Sequence, residues 1–201
     1  MPSSKDVDIE LIKRLRARTN AGILDCKNAL IESSGDIQKA IQILRKKGIA
    51  KAATRIGREA REGVIMAYVH PGDQLGALVE LNCETDFVAR TDEFKNLAKE
   101  ITMQVVATNP ISVDRESIPE ETLKEERSIY EDQVKRMDKP EEIQEKIVEN
   151  KLEKFYSEVA LLEQEYFRDP SITIGDLIKE KISVIGENIV VRRFKRLQIG
   201  E

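Results

Sequence analysis

Between residues 8 and 47 the apolar positions recur every three or four residues in three short stretches: Ile9, Ile12 and Leu15, then Leu24, Ala29 and Leu30, then Ile37, Ile41 and Leu44. That spacing puts each set on one face of a helix. Thr19-Asn20-Ala21-Gly22 and Ser34-Gly35-Asp36 punctuate the stretches with residues that favour turns. Asp8, Asp25 or its neighbours, and Asp36 stand near the expected helix starts, where a side-chain oxygen can accept the unpaired amides of a first turn. Gly48 is expected to close the third helix. A unit of about 40 residues has little core of its own, so it must be very tightly packed or lean on another element. Residues 49–61 read as a basic, alanine-rich helical connector.

The period then changes. Residues 64–69 are an unbroken apolar run, His70-Pro71-Gly72-Asp73 is a turn cluster, and residues 75–81 are a second apolar run, the pattern of a β-hairpin. A helix is expected over about 93–108, capped by Asp92, with Phe94, Leu97, Ile101 and Val105 as its buried stripe. Asn109-Pro110 stops it, because the residue before a proline avoids the helical region. After Pro119, the positions Leu123, Tyr130, Val134 and Met137 mark another helix. Beyond Pro140, Ile143, Ile147, Leu152, Phe155, Val159 and Leu162 mark one or two more, and Asn150 is able to close one of them. Residues 172–185 read as helical and 187–199 as a third strand. The fold class is α+β: a three-helix unit at 1–50, a connector at 51–62, and a core at 63–201 in which helices pack on a small antiparallel sheet.

Composition narrows the function. The 201 residues allow one core and a small appendage. The longest apolar run is far short of the roughly 20 residues that span a bilayer, so no membrane-crossing helix is expected. The first residues lack the apolar stretch of a secretory signal, and a cytoplasmic location is expected. The net charge of −4 hides an asymmetry, because residues 1–61 carry 14 Lys+Arg against 7 Asp+Glu, net +7, and the rest is net −11. The basic third either faces an acidic partner or is a solvated surface. Cys26 and Cys83 have neither metal-ligand nor redox spacing and are expected as buried thiols.

Motifs for catalysis are scarce. His70 is the one histidine and sits in the hairpin turn, and no glycine-rich phosphate loop is present. Glu80, Glu84, Asp86 and Asp92 cluster around the strand-to-helix connection, as surface carboxylates commonly do. More pointed is Thr85-Asp86-Phe87-Val88-Ala89-Arg90, which sets an aromatic beside an acid on a loop held between strand and helix. Phe87 is either an exposed anchor for a partner or a plug at the bottom of the sheet.

The segment Glu80-Leu81-Asn82-Cys83-Glu84-Thr85-Asp86-Phe87-Val88-Ala89-Arg90 resembles the signature of the elongation factor Ts family. Leu15-Arg16, Thr19, the run Ala21-Gly22-Ile23-Leu24-Asp25-Cys26-Lys27 and Ala29-Leu30 are similar to the family's N-terminal motif. Lys139-Pro140, Leu161-Leu162-Glu163-Gln164, Ile185-Gly186-Glu187-Asn188-Ile189 and Arg192-Arg193 match further along, so the likeness covers residues 8–199. The resemblance implies a ubiquitin-associated-like three-helix domain and guanine-nucleotide exchange on elongation factor Tu. It implies that Thr85, Asp86, Phe87 and Val88 disturb the partner's magnesium site, with Phe87 entering between the partner's helices. Ile185 and Gly186 match a further contact segment, and Ile23 and Leu24 replace two methionines that commonly touch the partner's nucleotide domain. Asn20 stands where the family usually has glycine, and Gln104 where many members have a histidine near the interface.

One hairpin core is visible where longer members carry two, so the resemblance to short members implies a homodimer, as do the apolar stripes at 119–137 and 140–162. No cofactor, enzymatic turnover or direct nucleic-acid binding is expected. An RNA-binding module is the competing class, suggested by the basic first third, but interleaved aromatics and an RNA motif are missing. An enzyme built on the carboxylates around Asp86 ranks third.

Overall fold

A computed structural model describes residues 7–19, 21–137 and 140–200. Asn20 and Lys139 lie outside the described residues. The chain groups into two units, one formed by the described residues up to Ala60 with Ile178–Ile189, the other by Arg61–Leu177 and the residues from Val190 on.

In the first unit, α1 (Ile9–Thr19), α2 (Ile23–Glu32) and α3 (Ile37–Ala53) close around Leu15, Cys26, Ala29, Leu30 and Ala40, with Leu11, Ile12, Ile37, Ile41 and Leu44 packed at the edge. Asp8 and Asp36 act at helix starts as expected, Asp8 Oδ1 accepting from the Glu10 amide at 2.9 Å and Asp36 Oδ1 from the Gln38 and Lys39 amides at 2.9 and 3.1 Å. Asp25 does not cap: α2 starts from Gly22, and Asp25 lies in its first turn paired with Lys51 at 2.9 Å. Gly48 does not end α3, which runs on to Ala53. The glycine serves an approach instead. A Cβ at Gly48 would lie 3.3 Å from Ser183 Oγ, so the missing side chain lets the segment around Ser183 come close to the middle of α3.

The second unit is built on β1 (Glu62–Val69) and β2 (Leu75–Cys83), an antiparallel hairpin with Met66 opposite Val79. The His70 amide donates to the Leu75 carbonyl at 2.8 Å and closes the turn. Strands alternate sides, and Ala77, Val79, Leu81 and Cys83 form the buried side of β2. A single helical turn, α4 (Asp86–Ala89), leads into α5 (Asp92–Thr108), which packs across β1 and β2 and buries Phe94, Leu97, Ala98, Ile101 and Val105. The cap of α5 is Thr91, one residue before the expected Asp92, which instead lies with Glu93 in the first turn, where acids suit the helix dipole. Asn109 ends the helix at φ 48°, before Pro110.

The helices α6 (Glu120–Lys135) and α7 (Glu141–Val159) form a hairpin. Asn150 does not close a helix, since α7 passes through it unbroken. The expected apolar stripes are largely spent on each other: Val134, Val148 and Leu152 cluster with Tyr130 and Tyr156, and Phe155 with Leu123 and Ile118. The short pair β3 (Glu165–Tyr166) and β4 (Asp169–Thr173) was not anticipated, and α8 therefore begins only at Ile174, running to Ile185. The third expected strand is present as β5 (Ile189–Gln198), giving a sheet of order β1-β2-β5.

Gln104 explains how β3 is held. Fully buried in α5, it donates from Nε2 to the Glu165 carbonyl at 3.0 Å and accepts the Phe167 amide at Oε1 at 3.0 Å. Gln164 joins the network by accepting the Thr108 hydroxyl at 2.6 Å and donating to the Glu158 carbonyl at 2.7 Å. Buried amides satisfied in this way fix one geometry.

Candidate contact site

Thr85, Asp86, Phe87 and Val88 fall where β2 has ended and α5 has not begun. Thr85 has the extended backbone of an N-cap, and its Oγ1 accepts the Val88 amide at 3.4 Å. The buried Cys83 thiol donates to the Thr85 carbonyl at 3.2 Å. Within the turn, Ala89 points inward and is buried, whereas Phe87 is 80% exposed. Phe87 is thus no plug of the sheet in the free protein. An aromatic of this size left in water gains nothing for folding and has a large apolar area available for contact.

Asp86 is paired rather than free: its Oδ2 lies 2.8 Å from Arg90 Nη2, one turn later. Both side chains remain well exposed, and such pairs are worth little to stability. Of the carboxylates around it, Glu80 has a partner of its own. Glu80 Oε2 accepts from Arg193 Nε at 2.6 Å on β5. Among the described residues no group of three or more His, Cys, Asp or Glu could hold a metal ion.

The second set of expected contact residues lies in the first unit. Ile23 and Leu24 occupy the first turn of α2 and are exposed at 59% and 70%. Ile185 is half-buried at the end of α8, and Gly186 closes that helix at φ +85°, a backbone that a side chain would strain. Gly22, Asp25, Gly48, Lys51, Ser183 and Val184 line one cleft of about 250 Å³. The cleft takes in Gly22 and Val184, the chain neighbours of Ile23 and Ile185, but none of Ile23, Leu24, Ile185 and Gly186 themselves.

Sequence reasoning missed the Arg90 partner of Asp86, the cap at Thr91 and this cleft. The threonine directly before Asp92-Glu93 was the available signal for the cap. The cleft had none, because it depends on the approach at Gly48.

Each unit presents outward apolar side chains, Ile23 and Leu24 on the first and Phe87 on the second, and that makes the class of a protein that presents contact residues. Comparison with known proteins gives the family. The family model described as Elongation factor TS matches residues 6–201. The chain is 54% identical over 195 residues to Elongation factor Ts of Caldanaerobacter subterraneus subsp. tengcongensis, covering 97% of this chain and 98% of that one. It is 53% identical over 196 residues to Elongation factor Ts of Fervidobacterium nodosum, covering 98% and 100%. Against Elongation factor Ts of Carboxydothermus hydrogenoformans it is 54% identical over 192 residues, covering 96% and 88%. The chain belongs to the elongation factor Ts family, and by that membership it is a translation elongation factor with a part in protein biosynthesis. No helix among the described residues is long and apolar enough to cross a membrane.

Proposed function

We propose that the chain binds elongation factor Tu in its GDP form and promotes release of GDP, so that GTP can rebind. The observation that carries this reading is Phe87, 80% exposed on a turn whose main chain is held by side-chain hydrogen bonds. Affinities of two ligands for one protein are coupled reciprocally, so a factor that prefers nucleotide-free partner must weaken GDP by the same ratio. Magnesium neutralises the phosphates of a bound nucleotide. In this reading Thr85, Asp86, Phe87 and Val88 displace the groups that hold that ion, with Phe87 as wedge, while Ile23, Leu24, Ile185 and Gly186 dock the partner. No bond is made or broken, so the chain acts without enzymatic turnover and without a cofactor of its own, in the cytoplasm and without direct nucleic-acid contact. In this reading residues 1–50 dock, 51–62 connect and 63–201 carry the exchange core, except that Ile185 and Gly186 group with the docking unit.

The same reading includes a homodimer. Its support is the open face of the sheet, where Ile65, Val69 and Leu78 alternate outward from the buried set. Val69 and Leu78 join Leu197 and Ile199 from the far end of the chain in one open cleft of about 330 Å³. An apolar sheet face gains from a second layer, and a second copy brings the same face. Release of fluorescent GDP from purified elongation factor Tu, followed with and without the protein, tests the function. Catalytic amounts are expected to speed release many-fold. Unchanged release would overturn the reading. Sedimentation at micromolar concentration, expected to give twice the chain mass, tests the dimer.

A further inference from the structure

Resting on the reading of Phe87 as the wedge, we propose that the Thr91 hydroxyl is the positioning group that sets the direction in which Phe87 points. The turn that carries Phe87 is only four residues long, so it has few hydrogen bonds of its own and takes its orientation from what holds its ends. Both peptide groups of Val88, the residue after Phe87, are held by threonines. Its amide donates to Thr85 Oγ1 at 3.4 Å, a long bond. Its carbonyl accepts twice from Thr91, from the amide at 3.0 Å and from the hydroxyl at 2.8 Å. The same Thr91 oxygen accepts the Phe94 amide at 3.3 Å and so caps α5.

One hydroxyl thus gives its only proton to the Phe87 turn and a lone pair to the helix that carries the core. Phe94 is fully buried and is the largest such side chain among the described residues. The connection runs from an exposed aromatic, through Val88 and a single oxygen, to the packed centre of the unit. Thr91 lies outside the four residues expected to meet the partner and acts through one of them.

Three variants of the full chain separate this role from ordinary capping, all read by release of fluorescent GDP from elongation factor Tu. Thr91→Val keeps the shape and removes the hydroxyl; exchange is expected to fall about fivefold, the worth of the one hydrogen bond to the Val88 carbonyl. Thr91→Ser keeps the hydroxyl and should exchange as wild type. Thr91→Asp can still accept the Phe94 amide but has no proton for the Val88 carbonyl, so it should fold with wild-type stability and lose exchange as Thr91→Val does. The deciding readout is coupling. Placed in a Phe87→Ala background, Thr91→Val should cost no further exchange while still lowering the melting temperature. An equal loss in both backgrounds, wild-type exchange by Thr91→Val, or wild-type exchange by Thr91→Asp would overturn the proposal. Phe87→Ala that exchanged normally by itself would remove the reading beneath it, and that single variant tells this failure from the others.

Discussion

The two outward apolar groups are held in opposite ways. Phe87 rides on a turn fastened at each end by a threonine hydroxyl and from below by a buried thiol. Ile23 and Leu24 ride on the first turn of a helix that starts from a glycine with no side chain to cap with, steadied by the exposed pair Asp25–Lys51. Exposed ion pairs contribute little, while a fully used cap fixes the backbone. A group that must push a specific set of atoms in a partner needs a fixed direction, and a group that only adds apolar contact does not. The contrast fits a division of labour between a wedge and a dock.

The sharpest break of that comparison pairs Phe87 with Phe94, seven residues on. Phe94→Ala removes a fully buried ring and is expected to cost about 3 to 5 kcal/mol of folding stability. Phe87→Ala should change stability by less than about 0.5 kcal/mol. In binding the order reverses: Phe87→Ala should lose about 2 kcal/mol or more of interaction with nucleotide-free elongation factor Tu, roughly thirtyfold in affinity. Urea unfolding and GDP release on the same two preparations check both halves. A Phe87→Ala protein that is unstable yet exchanges normally would make Phe87 structural.

A smaller effect is expected at the dock. Replacing Ile23 and Leu24 together by alanine should weaken the complex by about 1 kcal/mol, roughly fivefold. If contact is all they supply, the loss appears at low concentration only and saturating protein restores the full exchange rate. A Phe87→Ala variant should stay slow even at saturation. Equal behaviour of the two variants in that concentration series would erase the distinction between wedge and dock.

The parts of the molecule that were legible in advance are those where local chemistry and packing agree. The apolar runs at residues 64–69 and 75–81 around a turn cluster, the stripe of Phe94, Leu97, Ile101 and Val105, and the stop at Asn109-Pro110 each match the observed element. The cap at Thr91 was misread by one residue for a local reason, while the misreadings at Gly48, Asn150 and the β3–β4 pair come from a long-range partner that changes what a residue is for. Gly48 looks like a terminator until Ser183 is found against it. Asn150 is a plausible end for a helix, but Val148 and Leu152 on either side of it are buried against Val134, which keeps α7 continuous. The β3–β4 pair rests on Gln104, 61 positions before Glu165, whose glutamine is mute in a pattern of apolar residues. At the candidate site, the Phe87 motif stood out by its chemistry, but its exposure was a matter of which way a four-residue turn faces.

The smallest expected effect is on the alkaline side, and it falls differently on the two units. All four tyrosines, Tyr68, Tyr130, Tyr156 and Tyr166, lie in the second unit. Tyr130 is pushed up to about 12 from an ordinary value of 10.0, by burial first and then by Glu126. Tyr166 moves the same way, by burial and by its bond to Glu100. In the unfolded chain a phenol begins to lose its proton near pH 10, while the folded chain still holds it. The contribution is therefore complete below pH 10 and is lost as the pH climbs to about 12. In the first unit the group that moves is the Cys26 thiol, raised above its ordinary 9.0 by desolvation first, so loss there starts about one pH unit earlier. Urea midpoints taken from pH 8 to 11.5 should fall for wild type, and Tyr130→Phe should flatten the upper part of that fall while Cys26→Ala flattens the lower part. Neither substitution touches Phe87, Ile23 or Leu24, so exchange at neutral pH should stay at the wild-type rate. A Tyr130→Phe curve parallel to wild type up to pH 11.5 would show that the phenol of the α6–α7 hairpin is not coupled to the stability of its unit.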